Sequence, residues 1–263
     1  MSSESKWAII TGASSGIGRS VAREFSAGGF HVLLTGRNQD ALAQVARECA
    51  SEFRVQTETV CADLSDPKAA DDLIAAIQNK HREYGVLVNN AGFGVHGKFS
   101  ETNVANELDL LNVQLAAAIK LTKAVLPGMI ARNNGRILNI GSVYCYAPVP
   151  FQSVYSACKA FLLSFSAAIR SELSGTGITV TVFCPGITQT EFRKRAGIGE
   201  KDKSYGMSAE DAARIAFRAT MQGKAVVIPG LPNKIFVFVA KLMPTSTFTG
   251  IVRYINRLRG HKE

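Results

Sequence analysis

The most constraining feature of this chain is an alternation. Short apolar runs rich in β-branched residues, WAIIT from Trp7 and HVLLT from His31, are followed by RVQTETVCA, VLVNN, GRILNIGS, ITVTVFC and AVVIPG near residues 54, 86, 135, 178 and 225. Amphipathic stretches of helical length separate them, for example ALAQVARECASEF and AADDLIAAIQNKHREY. Strands alternating with helices require crossover connections, and so a parallel sheet of about seven strands covered by helices on both faces. Right-handed crossovers leave few topologies, of which the doubly wound α/β sheet leads. Such sheets bind ligands outside the carboxyl ends of their strands, so the strand exits are where chemistry is to be sought.

No linker, repeat or low-complexity tract divides the 263 residues, and 46% of them are hydrophobic. One domain over 1–263 is expected, with 231–263 an apolar and basic helical extension of it. The net charge is +9, yet Lys and Arg are spread along the chain. That suits a solvated basic surface receptive to anionic ligands, and no nucleic-acid partner is expected. The five cysteines lack CxxC spacing and MSSESKW carries no secretory pattern, so a reduced, cytoplasmic setting without a metal site is expected. IFVFVA, from Ile235, is too short to span a bilayer.

After the first strand comes TGASSGIGRSVAREF, with Gly12, Gly16 and Gly18 between strand and helix. Glycines allow a tight turn and close approach of the backbone to a pyrophosphate, and the free N–H groups of the helix start favour its charge. At the end of the second strand, where an acidic side chain would hold an unphosphorylated ribose, the chain reads LLTGRNQD. Arg37 there suits a 2′-phosphate, so NADP(H) is expected over NAD. On the opposing view Arg37 is an ordinary surface arginine and Asp40 caps the next helix.

Tyr155 and Lys159 stand four residues apart, hence on one helical face, in SVYCYAPVPFQSVYSACK, which begins at Ser142. A free phenol titrates near 10, too high for acid–base work at neutral pH, and a neighbouring ammonium lowers that value. Ser142, at a strand exit, offers a hydroxyl to hold a substrate oxygen beside the phenol.

The ordered set TGASSGIG at Thr11, Asp63-Leu64, NNAG at Asn89, Asn112 in LNVQ, Ser142, the Tyr155/Lys159 pair and PGITQT at Pro185 resembles the short-chain dehydrogenase/reductase family in its single-domain, NADP-preferring form. The resemblance extends to about Gly230. It implies a Rossmann fold, with Gly12, Ser14, Ser15, Gly16, Ile17 and Gly18 around the cofactor and Asp63 and Leu64 beside the adenine. By the same resemblance Asn90, Ala91 and Gly92 support the sheet centre and cofactor ribose, and Pro185, Gly186, Thr188 and Thr190 meet the nicotinamide. The implied chemistry is hydride transfer between NADP(H) and a carbonyl or secondary alcohol: Tyr155 gives the proton, Lys159 lowers its pKa and holds the nicotinamide ribose, and Ser142 polarises the carbonyl. Asn112 is implied to keep a water on the proton path from Lys159. A homodimer or homotetramer is also implied, with the Tyr155 helix at the interface.

Tyr144, Tyr146, Phe151 and Val154, with Phe93 and His96 after NNAG, are expected to wall the substrate site and to favour an apolar ketone, 3-oxoacyl or steroid-like substrate. EFRKRAGIGEKDKSYG after Thr190 reads as a substrate lid. For the C-terminal segment, packing on the substrate site or on another subunit is preferred to a membrane surface. The alternative function is an NADP(H)-binding regulatory protein without turnover, against which the intact Ser142, Tyr155 and Lys159 argue.

Overall fold

The computed structural model describes residues 7–192, 196 and 206–258. Its centre is a parallel sheet of seven strands: β1 (Trp7–Thr11), β2 (His31–Gly36), β3 (Thr57–Cys61), β4 (Tyr84–Asn89), β5 (Gly135–Ile140), β6 (Ile178–Phe183) and β9 (Val226–Val227), in the spatial order β3-β2-β1-β4-β5-β6-β9. A separate parallel pair joins β7 (Thr188–Gln189) to β8 (Met207–Ser208). The doubly wound sheet expected from the alternation is what the chain forms. The last run, AVVIPG, contributes only two paired residues, Val226 and Val227, against Val182 and Phe183.

The apolar strand runs are near-continuous because both faces are covered. On one face Ala8, Ile10, Val32, Leu34, Val86 and Val88 pack with Val21 and Phe25 of α1 (Gly16–Ala27), Leu42 and Val45 of α2 (Gln39–Phe53) and Ala212 and Ala216 of α7 (Ala209–Met221). On the other, Ile9, Leu33, Leu87 and Ile137 meet Leu73 and Ile77 of α3 (Ala69–Asn79) and Leu121, Val125 and Met129 of α5 (Ala117–Ala131). Asn38, rather than Asp40, caps α2, its side chain accepting from the Ala41 N–H at 2.9 Å.

Helix α4 (Val104–Leu111) runs into α5 through a π turn, Asn112–Ala116, closed by the Ala117 N–H on the Asn112 carbonyl. The 28-residue rod, with a most apolar 18-residue window of mean hydropathy 1.3, is long and apolar enough to cross a membrane. Its α5 half is instead spent on the sheet, burying Ala117, Leu121, Val125 and Met129. Helix α6 (Ser153–Glu172) carries the Tyr and Lys, and α8 (Leu231–Leu242) and α9 (Thr245–Leu258) close the chain. Most of the stretch expected to form a lid lies outside the described residues.

Candidate active site

The strand order reverses direction between β1 and β4, and their exits are stitched together there. Thr11 Oγ1 donates to the Val88 carbonyl at 3.2 Å and accepts from the Asn90 and Ala91 N–H groups at 3.0 and 2.9 Å. Asn90 Nδ2 returns to the carbonyls of Thr11 and Gly12 at 2.8 and 3.2 Å. The glycines are needed for this closeness. Gly12 has φ +65°, and a Cβ on it would lie 2.9 Å from both Ala91 Cα and Asn90 Nδ2; a Cβ on Gly18 would strike the Gly12 carbonyl.

In front of this switch point lies a cleft of about 770 Å³. One end is lined by Arg37, Asp63 and Leu64 and the middle by Gly12, Ser14, Ser15, Gly16, Ile17 and Gly18. The far end carries Ser142, Tyr155 and Lys159 with Pro185, Gly186, Thr188 and Thr190, while Asn90, Ala91 and Gly92 form the floor. The groups fit a dinucleotide: the Ser15 side chain accepts nothing from the first turn of α1, so those N–H groups point at the cleft uncapped. Asp63 is held by the Ser65 N–H and hydroxyl at 3.1 and 2.8 Å, and its other oxygen stands 4.0 Å from the exposed Arg37 guanidinium.

At the far end, Ser142 ends β5 and caps a short 3₁₀ turn, Val143–Tyr146, accepting from the Tyr144 N–H at 3.2 Å. That bond fixes the oxygen, and the same hydroxyl hydrogen-bonds the Tyr155 phenol. Tyr155 and Lys159 are both buried on α6, the ammonium 5.4 Å from the Tyr155 ring centre and donating to the Ile140 carbonyl at 2.9 Å. Burial raises the Tyr155 phenol well above its ordinary value, with Tyr144 and Cys145 adding to the rise and Ser142 opposing it. Burial likewise lowers Lys159. The expected lowering of the phenol by Lys159 is therefore not what the protein alone produces, because desolvation by burial is the largest influence on each group.

Asn112 also differs from expectation. Its amide donates to the Ser65 carbonyl at 3.0 Å, tying the π turn to the loop after β3. A space of about 10 Å³, close to one water in size, does adjoin Lys159, but Asn89 and Gln114 line it rather than Asn112.

Of the expected substrate residues, Phe93 and Tyr144 line the cleft. Phe151 and His96 do not: their rings pack on each other at 6.1 Å, and Phe151, at φ +68°, accepts from the Gly97 N–H. Their places are taken by Gln152, Ile187 and Phe192. Phe192, 5.4 Å from the Tyr155 ring, follows PGITQT closely enough for the motif to have flagged it. Beyond Tyr144 stands Phe236 of α8, at 6.5 Å, and then Phe248 of α9, 5.7 Å further. A contact hidden from sequence brings two scattered cysteines together behind Ser142: the Cys184 thiol donates to Cys145 Sγ at 3.8 Å, which also accepts from the Ser142 N–H.

Residues 6–201 match the short chain dehydrogenase family. The chain is 33% identical to sulfoacetaldehyde reductase 2 of Chromohalobacter salexigens, over 90% of its own length and 93% of that protein's. It is 36% identical to the very-long-chain 3-oxoacyl-CoA reductase of Bos taurus over 72% and 61% of the two chains. A short-chain dehydrogenase from Sphingobium yanoikuyae, solved with NADPH, superposes with a TM-score of 0.80 at 30% identity, covering 98% of this chain and 96% of that one. Fold, ordered motifs and matches agree, and the chain belongs to the short-chain dehydrogenase family.

Proposed function

We propose that this oxidoreductase uses NADP(H) to reduce an apolar ketone or 3-oxoacyl carbonyl, or to oxidise the corresponding secondary alcohol. The observation that carries the reading is one cleft with Arg37 at one end and Ser142, Tyr155 and Lys159 at the other. Arg37 would hold the 2′-phosphate, the uncapped start of α1 and the glycine turn the pyrophosphate, and Pro185 to Thr190 the nicotinamide end. When bound, the cofactor supplies or takes up the hydride.

The chain's own residues manage the oxygen and its proton. Burial keeps the Tyr155 phenol protonated at neutral pH, the state that carbonyl reduction needs. Ser142 donates a second hydrogen bond to the carbonyl oxygen. As Tyr155 gives up its proton, the nearby Lys159 ammonium stabilises the phenolate that forms. The wall of Phe93, Tyr144, Phe192 and, further out, Phe236 favours an apolar substrate. The named relatives act at both extremes of polarity, so the preference rests on this chain's aromatics.

Subunit contact through α4 and α6 is part of the proposal, since Val104, Leu108 and Phe161 are exposed there beside Phe165. The test is NADPH oxidation across carbonyls graded in chain length, with Tyr155→Phe as control. That variant keeps the ring and loses the proton, and should lower turnover by about 10² or more. Wild-type turnover in the variant, or a uniform preference for short polar aldehydes, contradicts the reading.

A further inference from the structure

The inner face of α8 belongs to the site: Phe236 meets Tyr144, the Lys241 ammonium lies 4.6 Å over the Tyr146 ring, and a Cβ on Gly186 would collide with Asn233. Its outer face is largely exposed. Leu231, Ile235, Phe238, Val239 and Leu242 are all exposed, Phe238 at 63% and Leu242 at 68%. At helical spacing these five fall within an arc of about 100°, opposite the buried Val237. Ile251, Tyr254 and Ile255 of α9 extend the exposed apolar surface.

The charge around this face is of one sign. Lys and Arg are spread along the chain, but Asp and Glu are not: between residues 212 and 262 there is no carboxylate and there are nine cations. With Glu263 counted, this last fifth of the chain supplies eight of the nine net positive charges. Lys234, Lys241, Arg253 and Arg257 are the cations in the sequences of α8 and α9.

We infer that α8 and α9 form a peripheral docking surface for an anionic lipid bilayer. Apolar side chains flanked by cations, on a helix with no acid, are what an interfacial helix requires. Helix α8, about 18 Å long, is too short to span a bilayer and would lie in its plane. A second copy of this chain fits less well, since a two-fold contact would set this all-cationic face against itself. The exposed patch on α4, by contrast, carries the half-buried Asp109 alongside Val104 and Leu108. A nucleic acid would pair with the cations and leave Leu231, Phe238 and Leu242 without a role. Docking puts the aromatic line Phe248, Phe236, Tyr144, Tyr155 next to the lipid, giving a lipophilic substrate a route that avoids water. The docking inference stands independently of the cofactor and the reaction.

The test is co-sedimentation of the full chain with vesicles of phosphatidylcholine alone, or with about one third phosphatidylglycerol. Binding to the anionic vesicles is expected, with loss of most of it at about 0.5 M salt. Phe238→Ser with Leu242→Ser, and separately Lys234→Glu with Arg253→Glu, should each weaken it about tenfold or more, with the melting temperature retained in at least one pair. Equal sedimentation with and without vesicles, or undiminished binding by both folded pairs, overturns the inference. So does a dimer that Phe238→Ser with Leu242→Ser dissociates, or binding of single-stranded DNA that this pair leaves intact and the charge pair abolishes.

Discussion

Replacing Arg37 by alanine should change the choice of cofactor and little else. In the protein alone the guanidinium is 62% exposed and its ion pair to Asp63, the one among the described residues, is long at 4.0 Å. An exposed pair of that kind contributes at most about 1 kcal/mol, so its removal should leave stability almost unchanged. Toward a 2′-phosphate the same group offers charge-assisted hydrogen bonds of about 1.5–3 kcal/mol each in protected settings. Discounting for exposure and for the partial loss of Asp63, a net of about 2 kcal/mol remains, or roughly thirtyfold in affinity. Arg37→Ala should thus weaken NADPH about thirtyfold and NADH only slightly, while Arg37→Glu should reverse the preference because its carboxylate repels the phosphate and accepts from a ribose hydroxyl. Titrating cofactor fluorescence with each protein measures both constants. An NADPH to NADH affinity ratio that stays within twofold in Arg37→Ala would refute the reasoning and return Arg37 to the solvated surface.

Other outcomes follow from packing and burial. Gly18→Ala places a methyl against the Gly12 carbonyl and the Asn90 amide, both already tied to β1; a loss of about 1–3 kcal/mol should appear as a lower melting temperature and weaker cofactor binding. Gly250→Ala, in α9 with open space around it, should be neutral or stabilise by up to about 1 kcal/mol. Lys159→Met should abolish turnover yet raise the melting temperature: burial lowers the lysine's pKa, so folding works against its charge at every pH below the unfolded value, and Met lifts that cost while filling the space. Tyr155 shifts upward, so its linkage runs the other way from a carboxylate's. Below about pH 10 the phenol is protonated in both folded and unfolded chains. Above it only the unfolded chain ionises, and wild-type protein should lose stability relative to Tyr155→Phe in urea melts between about pH 9 and 11.

The parts legible in the sequence were those written in local pattern. Alternating runs fixed the doubly wound sheet because a strand buried on both faces has to be apolar throughout, and the glycine spacing located the cleft because only glycine permits the approach of β1 to Asn90. Ser142, Tyr155 and Lys159 fall into one cleft because a strand exit and one helix face are both readable as spacing. What stayed hidden depends on contacts between distant segments. Nothing near Phe151 or His96 in the chain indicates that they would pack on each other and leave the cleft to Phe192, nor that Cys145 and Cys184 would meet behind the serine. The burial of Tyr155 shows the same limit more sharply. A tyrosine four residues before a lysine suggests a lowered phenol, since sequence displays the charge and conceals the burial that is the largest influence on both groups. On the proposed mechanism Lys159 would act chiefly on the phenolate that forms during reaction, so a substitution there should depress the rate far more than it alters the resting protonation of Tyr155. The pH at which the resting Tyr155 ionises, measured in Lys159→Met against wild type, tests that separation directly: a phenol that shifts by several units on losing the ammonium would mean that attraction, and not burial, governs the site.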